Sequence, residues 1–272
     1  MNSHVRQMDR KFPTKRLGQN YLRDENIIRK IIDEISPNPN ELIIEIGPGE
    51  GALTKHLAGQ NFEFITIEID NHNSEFLHAK FPLLNLLSKD FLKVDLNEIH
   101  KKYGKKIRII GNIPYNITSP IIFKLIETRE IIQDSVMMIQ HEVAQRIIAK
   151  PGGKDYGILS VITQNFTKVE LCFKVSPNVF YPRPKVNSAV IHMYFKNEVT
   201  NKKYDELFIK IVKAAFGNRR KMLCNSLKNS IFEHLNFNQT GIDLTLRAEK
   251  LSINDFHILA RFAFEHRDEI KF

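Results

Sequence analysis

The sequence is poor in cysteine and has no long apolar run. Its 272 residues include only two cysteines, Cys172 and Cys224, and their spacing matches no metal-binding or redox motif. Two unpaired thiols suit a reducing cytoplasm, so we expect a cytoplasmic protein. No apolar stretch approaches membrane-spanning length, and the polar, basic start lacks the apolar segment of a secretion signal. The ten histidines show no ligand spacing, so the sequence predicts neither a membrane span nor a metal site.

The composition favours a packed chain whose charge is unevenly placed. Hydrophobic residues make up 42% and charged residues 26% of the 272 residues, which suits a large α/β domain with a small appendage. The net charge is +9, and residues 1–30 hold eight basic against three acidic residues, while residues 202–228 hold eight against two. The remainder of the chain therefore carries −2. Two basic segments on a near-neutral body indicate a surface for a polyanion such as nucleic acid, although solvated helix faces would give the same count.

Short β-branched apolar runs alternate with helix-compatible stretches before residue 200. This alternation predicts a parallel sheet wrapped by helices, with the last two runs closing one edge. The predicted strands cover residues 42–46, 64–69, 84–88, 107–110, 136–140, 169–175 and 188–195. From about residue 200 the pattern becomes helical, and a Ser-x-x-Asp cap signal precedes a second helix at Ser252. One face of the first of these helices carries apolar residues at Phe208, Ile211, Val212, Ala215 and Phe216.

A glycine-rich loop follows the first of these strands. The segment EIGPGEGALT places Gly47, Gly49 and Gly51 between a strand and a helix, where the backbone can approach a nucleoside cofactor. The next strand ends at Glu68, which can accept hydrogen bonds from ribose hydroxyls, and Asp90 after the third could accept from an adenine amine. Asp90 could equally cap the following helix. The loop alone does not separate NAD from S-adenosylmethionine.

The stretch GNIPYNITSP at residues 111–120 follows the fourth of these strands. Taken alone, Asn112, Pro114 and Tyr115 could form an ordinary turn. Beside a cofactor crevice they suit methylation of an exocyclic base amine, whose lone pair is delocalised into the ring. The Asn112 oxygen and a backbone carbonyl at the Pro114 turn can accept from the amine, while the Tyr115 ring stacks on the base. An enzyme that transfers hydride would have no evident use for the tetrapeptide NIPY at residues 112–115.

Eight motifs occur along the chain in a set order. They are KRLGQNYL (15–22), EIGPGEGALT (45–54), IEID (67–70), KDFL (89–92), GNIPYNITSPIIFKL (111–125), HEVAQRIIAKPGGKDYGILSV (141–161), FYPRPKVNSAV (180–190) and AFGNRRKMLCNSLK (215–228). In this order they resemble the KsgA-type ribosomal RNA adenine dimethyltransferases over nearly the whole chain. The resemblance implies an α/β fold, a Rossmann-like class I methyltransferase sheet followed by a small all-helical C-terminal domain. The expected domains are residues 1–200, with a basic N-terminal lid, and residues 201–272, which bind RNA.

The resemblance also implies roles for matched residues. Asn112, Pro114 and Tyr115 would hold the target amine, and Phe180 would stack on the other face of a flipped adenine. Without the resemblance, Phe180 would be interpreted as a core aromatic before a Pro-rich turn. Contacts to S-adenosylmethionine are expected from Asn20, Leu22, Gly47, Glu68, Asp90 and Asn112.

The chain departs from the family pattern at a few positions. Asn71 and Asn73 stand where the family usually has a basic and an apolar residue, so the edge of the ribose pocket differs. Cys224 stands where an arginine is frequent, which affects one expected RNA contact. Ile113 stands where leucine is commoner, a conservative change in a hydrophobic position, and Asn112, Pro114 and Tyr115 match the pattern.

The expected activity is S-adenosylmethionine-dependent dimethylation of N6 of two adjacent adenosines in the 3′-terminal hairpin of 16S ribosomal RNA. The expected partner is this RNA in the immature small subunit, so the activity would be linked to subunit biogenesis, and a monomer is expected. Three alternatives remain open: a methyltransferase for large-subunit RNA, an RNA-binding assembly factor without catalysis, and an oxidoreductase. The first shares the same core motifs, and the intact NIPY stretch argues against the other two.

Overall fold

The computed structural model describes residues 19–196 and 201–270, which form an α/β fold. Most of the predicted N-terminal lid, up to residue 18, and the predicted domain boundary at residue 200 lie outside the described residues. Within the described part the strands are β1 (Tyr21–Leu22), β2 (Leu42–Ile46), β3 (Glu63–Glu68), β4 (Asn85–Ser88), β5 (Ile107–Asn112), β6 (Ile132–Gln140), β7 (Thr167–Val175), β8 (Phe180–Tyr181) and β9 (Ser188–Phe195).

The α-helices of the same residues alternate with these strands and then follow one another after residue 200. They are α1 (Glu25–Ile35), α2 (Thr54–Leu57), α3 (Asn71–Lys80), α4 (Leu96–Tyr103), α5 (Thr118–Glu127), α6 (His141–Ile147), α7 (Ile158–Phe166), α8 (Lys202–Phe216), α9 (Leu223–Lys228) and α10 (Ile253–Glu265).

Seven strands form one sheet in the order β4-β3-β2-β5-β6-β9-β7. The first five in this order pair in parallel, and β9 pairs antiparallel with β6 and β7. The predicted parallel sheet with the two later runs at one edge is therefore confirmed. The chain continues from β2 to β3 and β4 on one side and returns to β5 on the other, so a crevice forms at the carboxyl ends of β2 and β5.

Alternate residues of the central strands enter two apolar clusters on opposite faces of this sheet. In β2, Ile44 belongs to the cluster shared with α4, α5 and α7, whereas Ile43 belongs to the one shared with α1. The same alternation separates Met137 from Val136 and Met138 in β6. Burial on both faces explains why these strands read as continuous apolar runs.

The helices after residue 200 pack onto the sheet through the first of these clusters. Phe208 in α8 and Phe256 in α10 are fully buried, and the Phe208 ring meets Phe166 of α7 edge-on with centroids 6.0 Å apart. The predicted apolar face of α8 is confirmed as its buried face. The predicted cap of α10 is also confirmed, because Ser252 Oγ accepts the Asp255 N–H at 3.2 Å.

A buried charge network crosses the sheet beneath α1. Arg108 of β5 donates to both carboxylate oxygens of Asp134 in β6, at 2.7 and 2.6 Å, and to Glu41 at 2.7 Å. His192 of β9 contacts the same Asp134 through Nε2 at 2.9 Å and Glu34 of α1 through Nδ1 at 2.8 Å. Because each charge has a partner, the network can remain in a low-dielectric interior.

We expect the stability of this protein to fall as pH rises above neutrality. Burial lowers the pKa of His192, but the hydrogen bonds and charges of Asp134 and Glu34 outweigh it, so the pKa is raised above its ordinary value of 6.5. A raised folded-state pKa means that the stabilisation is fully present below about pH 6.5 and is lost as pH rises through the folded value. Urea unfolding from pH 6 to 9 should show a declining midpoint. The same decline in His192→Gln would contradict this assignment.

Candidate active site

A cavity of about 710 Å³ opens at the carboxyl ends of β2, β3 and β5. Its floor is the glycine loop after β2, where Gly47 and Gly49 have φ of +63° and +57°, a region that favours glycine. A Cβ on Gly49 would lie 2.9 Å from the Tyr21 ring, so a larger residue has no space there. The loop therefore brings bare backbone to the cavity, as the sequence predicts.

Glu68 ends β3 at the rim of this loop. Its Oε2 accepts the Gly49 N–H at 3.0 Å and its Oε1 accepts the Asp70 N–H at 2.9 Å. Burial raises the pKa of Glu68 and outweighs these two backbone hydrogen bonds, which lower it. The carboxyl group is thus held in one orientation between the glycine loop and the end of β3.

Asp90 lies after β4 on the same cavity wall. Its Oδ1 caps a short 3-10 turn by accepting the Leu92 N–H at 3.0 Å, which is the structural alternative that the sequence leaves open. A cap that uses Oδ1 is compatible with a ligand contact through Oδ2. Lys124 of α5 holds this turn by donating to the carbonyls of Leu92 and Val94 at 3.0 and 2.6 Å. Helix α5, which follows the NIPY stretch, therefore also holds the turn that begins at Asp90.

Asn112 is the last residue of β5, and its side-chain amide is oriented by a neighbouring backbone. Asn112 Nδ2 donates to the Asn20 carbonyl at 2.8 Å. Because a carbonyl can only accept, the amide nitrogen faces this partner, and Oδ1 points elsewhere. No donor in residues 19–196 or 201–270 bonds this oxygen. It can therefore accept from a ligand amine.

Pro114 and Tyr115 follow in a tight turn that also lines the cavity. The Pro114 carbonyl accepts the Ile117 N–H at 3.1 Å, which closes the 3-10 turn leading into α5. The Tyr115 hydroxyl bonds Ser188 Oγ of β9 at 2.7 Å. Burial raises the pKa of Tyr115 and outweighs the Ser188 hydrogen bond, so the phenol remains neutral and its ring is anchored at the far edge.

Residues 19–23 form part of the cavity lining, and we call them the strap. Gln19 Nε2 donates to Asp70 Oδ2 at 3.1 Å, and Arg23 pairs with Glu50 at 2.7 Å. Behind the strap, β1 pairs antiparallel with β8, so that Leu22 lies opposite Phe180. The strap is thus joined both to the end of β3 and to β8.

The structure brings all but one of the sequence-predicted site residues to this single cavity. Phe180 is the exception: its side chain is 5% exposed, packs in the cluster that contains Leu22 and Val175, and does not line the cavity. Its expected stacking on a base stays a prediction. The other predicted site residues all line the cavity: Asn20, Leu22, Gly47, Glu68, Asp90, Asn112, Pro114 and Tyr115.

Glu45 is a cavity residue to which the sequence motifs assign no role. It lies in β2 among four apolar residues, and Thr54 Oγ1 donates to its Oε2 at 2.7 Å. Burial, with a smaller contribution from the nearby Glu68, raises the pKa of Glu45 to about 8. The signal in the sequence is an acid inside a strand that is otherwise continuously apolar.

Within residues 19–196 and 201–270, no group of three or more His, Cys, Asp and Glu side chains could hold a metal ion. No helix in these ranges is long and apolar enough to span a membrane.

Comparison with known proteins identifies the family. The sequence matches ribosomal RNA adenine dimethylase over residues 11–264. It is 42% identical over 252 residues to the ribosomal RNA small subunit methyltransferase A of Francisella tularensis subsp. novicida, covering 91% of this chain and 96% of that protein. The protein of the same name from Chlorobium phaeobacteroides (strain DSM 266) is 46% identical over 243 residues, 89% of this chain and 88% of that protein.

Two crystal structures are similar to this chain over about nine-tenths of its length. A dimethyladenosine transferase from Plasmodium falciparum superposes with a TM-score of 0.71 at 27% identity, covering 91% of this chain and 98% of that chain. The 23S rRNA methyltransferase ErmE gives a TM-score of 0.65 at 25% identity, covering 89% and 99%. With a family match over residues 11–264 and relatives at 42% and 46% identity, this chain belongs to the ribosomal RNA adenine dimethylase family.

Proposed function

We propose that this enzyme uses S-adenosylmethionine to dimethylate N6 of two adjacent adenosines in the 3′-terminal hairpin of 16S ribosomal RNA, within the immature small subunit. Family membership makes the chain a ribosomal RNA adenine dimethyltransferase. The choice of small-subunit RNA is supported by the relatives at 42% and 46% identity, both named small subunit methyltransferase A. We further propose that it acts as a monomer in the cytoplasm.

The observation that carries this proposal is the fixed Asn112 amide. Its nitrogen is held by the Asn20 carbonyl at 2.8 Å, so Oδ1 is set before any substrate arrives. Asn112 and Tyr115 share one cavity with Glu68 and Asp90, so a base amine and a nucleoside cofactor could meet there. Preorganised acceptors of this kind stabilise developing positive charge without reorganising during the reaction.

The residues present suit S-adenosylmethionine better than a nicotinamide dinucleotide. The acidic side chains of Glu68 and Asp90 line the cavity, where a carboxylate repels the pyrophosphate of a dinucleotide. Glu45 adds little to this charge near neutral pH, because burial raises its pKa to about 8. Gly47 and Gly49 leave room for close backbone contact, and Glu68 can accept from ribose hydroxyls. When bound, S-adenosylmethionine supplies an electrophilic methyl group on a cationic sulfur.

Methylation of N6 requires the amine to present its lone pair in line with that methyl group. Accepting an N6 hydrogen, Asn112 Oδ1 draws electron density toward the nitrogen and fixes its direction. The Tyr115 ring, anchored to Ser188 at 2.7 Å, stacks on the adenine and holds its plane. The adenine must leave its stacked position in RNA to reach the cavity. No strong general base is required, because the N6 proton becomes acidic once the methyl group is attached.

The basic loop after α8 is proposed to hold RNA phosphates, with unequal roles for its residues. Arg219 donates to the carbonyls of Lys154 and Tyr156 and pairs with Glu249 at 3.3 Å. This arginine therefore ties the loop to the rest of the protein. Arg220 and Lys221 are exposed and are the better candidates for phosphate contacts.

Product mapping tests the proposed substrate. We expect purified enzyme with labelled S-adenosylmethionine to dimethylate adenosines of an immature small subunit, with mass spectrometry locating both modified nucleosides in the 3′-terminal hairpin. The fold shared with the 23S rRNA methyltransferase ErmE makes large-subunit RNA the second candidate. Preferential methylation of large-subunit RNA in a parallel reaction would replace the first assignment with the second.

A further inference from the structure

The Tyr21 side chain in the middle of the strap is placed by both its ring and its hydroxyl. The ring covers the glycine loop, where a Cβ on Gly49 would come within 2.9 Å of it. The hydroxyl lies 2.9 Å from Gln19 Oε1 and 3.3 Å from Asn73 Oδ1. Its single proton can be shared between these two oxygens. Tyr21 therefore contacts the floor of the cavity and, through Asn73, the first turn of α3.

Asn73 extends this contact to the Glu68 carboxylate. Its Nδ2 lies 3.5 Å from Glu68 Oε2, and the side chain is 3% exposed. A buried amide needs hydrogen-bonding partners, and here one end faces an acid while the other faces a phenol. An apolar side chain of similar size at position 73 could fill this buried space without bonding either partner.

These contacts close a ring of hydrogen bonds at the end of β3. Gln19 accepts a hydrogen bond from Tyr21 and donates one to Asp70 Oδ2 at 3.1 Å. The Asp70 N–H donates to Glu68 Oε1 at 2.9 Å and so completes the ring. Burial raises the pKa of Tyr21 to about 12 and outweighs the opposing hydrogen bond with Asn73. The phenol thus keeps the proton that the ring of hydrogen bonds requires throughout the physiological pH range.

We infer that Tyr21 and Asn73 are positioning residues that latch the strap to the Glu68 carboxylate and thereby set how long the cofactor stays bound. This inference rests on the proposed function, in which Glu68 binds the ribose of the cofactor. A ribose held on Glu68 would fix the carboxylate, which contacts Asn73. Asn73 in turn holds Tyr21 and thus keeps the strap against the cavity. Because substrate and product cofactors share this ribose, the latch should slow the release of both.

Replacing Tyr21 by phenylalanine tests the latch with one atom removed. The ring over Gly49 remains, so folding should be preserved, and only the hydroxyl contacts to Gln19 and Asn73 are lost. We expect S-adenosylmethionine and S-adenosylhomocysteine to dissociate about two- to tenfold faster, the effect of one net hydrogen bond. The single-turnover methylation rate at saturating cofactor should stay within about twofold of the wild type, because the reacting atoms are untouched.

Asn73→Leu, alone and combined with Tyr21→Phe, completes a double-mutant cycle. If both residues serve one latch, Asn73→Leu should also speed dissociation, and the double variant should dissociate no faster than the faster single variant. Tyr181→Phe is the matched control: it removes the hydroxyl of the tyrosine paired with Tyr21 across β1 and β8, a side chain that is 51% exposed. Its dissociation rates should equal those of the wild type.

Chase experiments with radiolabelled cofactors measure these rates directly. Wild-type dissociation rates in Tyr21→Phe, or independent additive effects in the double variant, would overturn the latch. A wild-type protein that does not bind S-adenosylmethionine would instead refute the proposed cofactor site, so the two failures are distinguishable.

Discussion

Asn112→Ala should lower the single-turnover rate of methyl transfer by about 100- to 1,000-fold, the cost of removing one preorganised polar group from a transition state. The substitution removes Oδ1, which is proposed to accept the N6 hydrogen, and also the amide that bonds the Asn20 carbonyl at 2.8 Å. Methylation of small-subunit RNA under saturating S-adenosylmethionine measures the effect without the contribution of cofactor affinity.

Two substitutions of Tyr115 provide the matched control. Tyr115→Phe loses the 2.7 Å hydrogen bond to Ser188 but keeps the stacking ring, so its rate should fall by less than about tenfold. Tyr115→Ala loses the ring as well and should resemble Asn112→Ala. If Asn112→Ala reacted as fast as Tyr115→Phe, the amide would not be the amine-orienting group.

Asp134→Ala should lower the free energy of unfolding by about 3–5 kcal/mol, the usual cost of removing one partner from a buried ion pair. Asp134 is 3% exposed and bonds both Arg108 and His192. Its loss leaves a buried guanidinium with fewer acceptors and removes one of the two carboxylates facing His192. Urea unfolding followed by circular dichroism provides the measurement.

An exposed ion pair in the same sheet serves as the control for Asp134→Ala. Lys168 pairs with Glu170 at 2.7 Å, but its side chain is 72% exposed. Lys168→Ala should therefore cost less than about 1 kcal/mol. Equal losses for the two variants would mean that burial does not amplify the Asp134 contacts.

The sequence predicts most of the sheet because most of its strands carry a continuous or alternating apolar pattern. The start of β6 is an exception, because Ile132 lies four residues before the predicted run at 136–140. The runs at 42–46 and 188–195 coincide with β2 and β9. The paired strands β1 and β8 have two residues each, too few to show any periodicity. Their pairing depends on residues 21 and 181 meeting in space, which no local pattern reports.

The candidate site was predictable where a residue's role follows from its position at a strand end. Gly47, Glu68, Asp90 and Asn112 all follow this rule, and the structure places them round one cavity. Side-chain contacts between distant segments could not be predicted from the sequence. Examples are the contacts of Asn112 with Asn20 and of His192 with Asp134. For Phe180 the motif match suggests stacking on a base, whereas the structure places its side chain in the apolar cluster behind the strap.

The apolar cluster that runs from the sheet into α8 and α10 fixes a distance as well as a fold. Any swing of these helices away from the sheet would expose Phe208 and Phe256 to water, so the loop that carries Arg220 and the cavity that holds Asn112 keep a constant separation. If the loop binds RNA phosphates, this fixed separation would determine which nucleotide of the bound RNA can reach the cavity. A truncation at residue 200 would accordingly expose the apolar residues of this cluster that α8 and α10 cover.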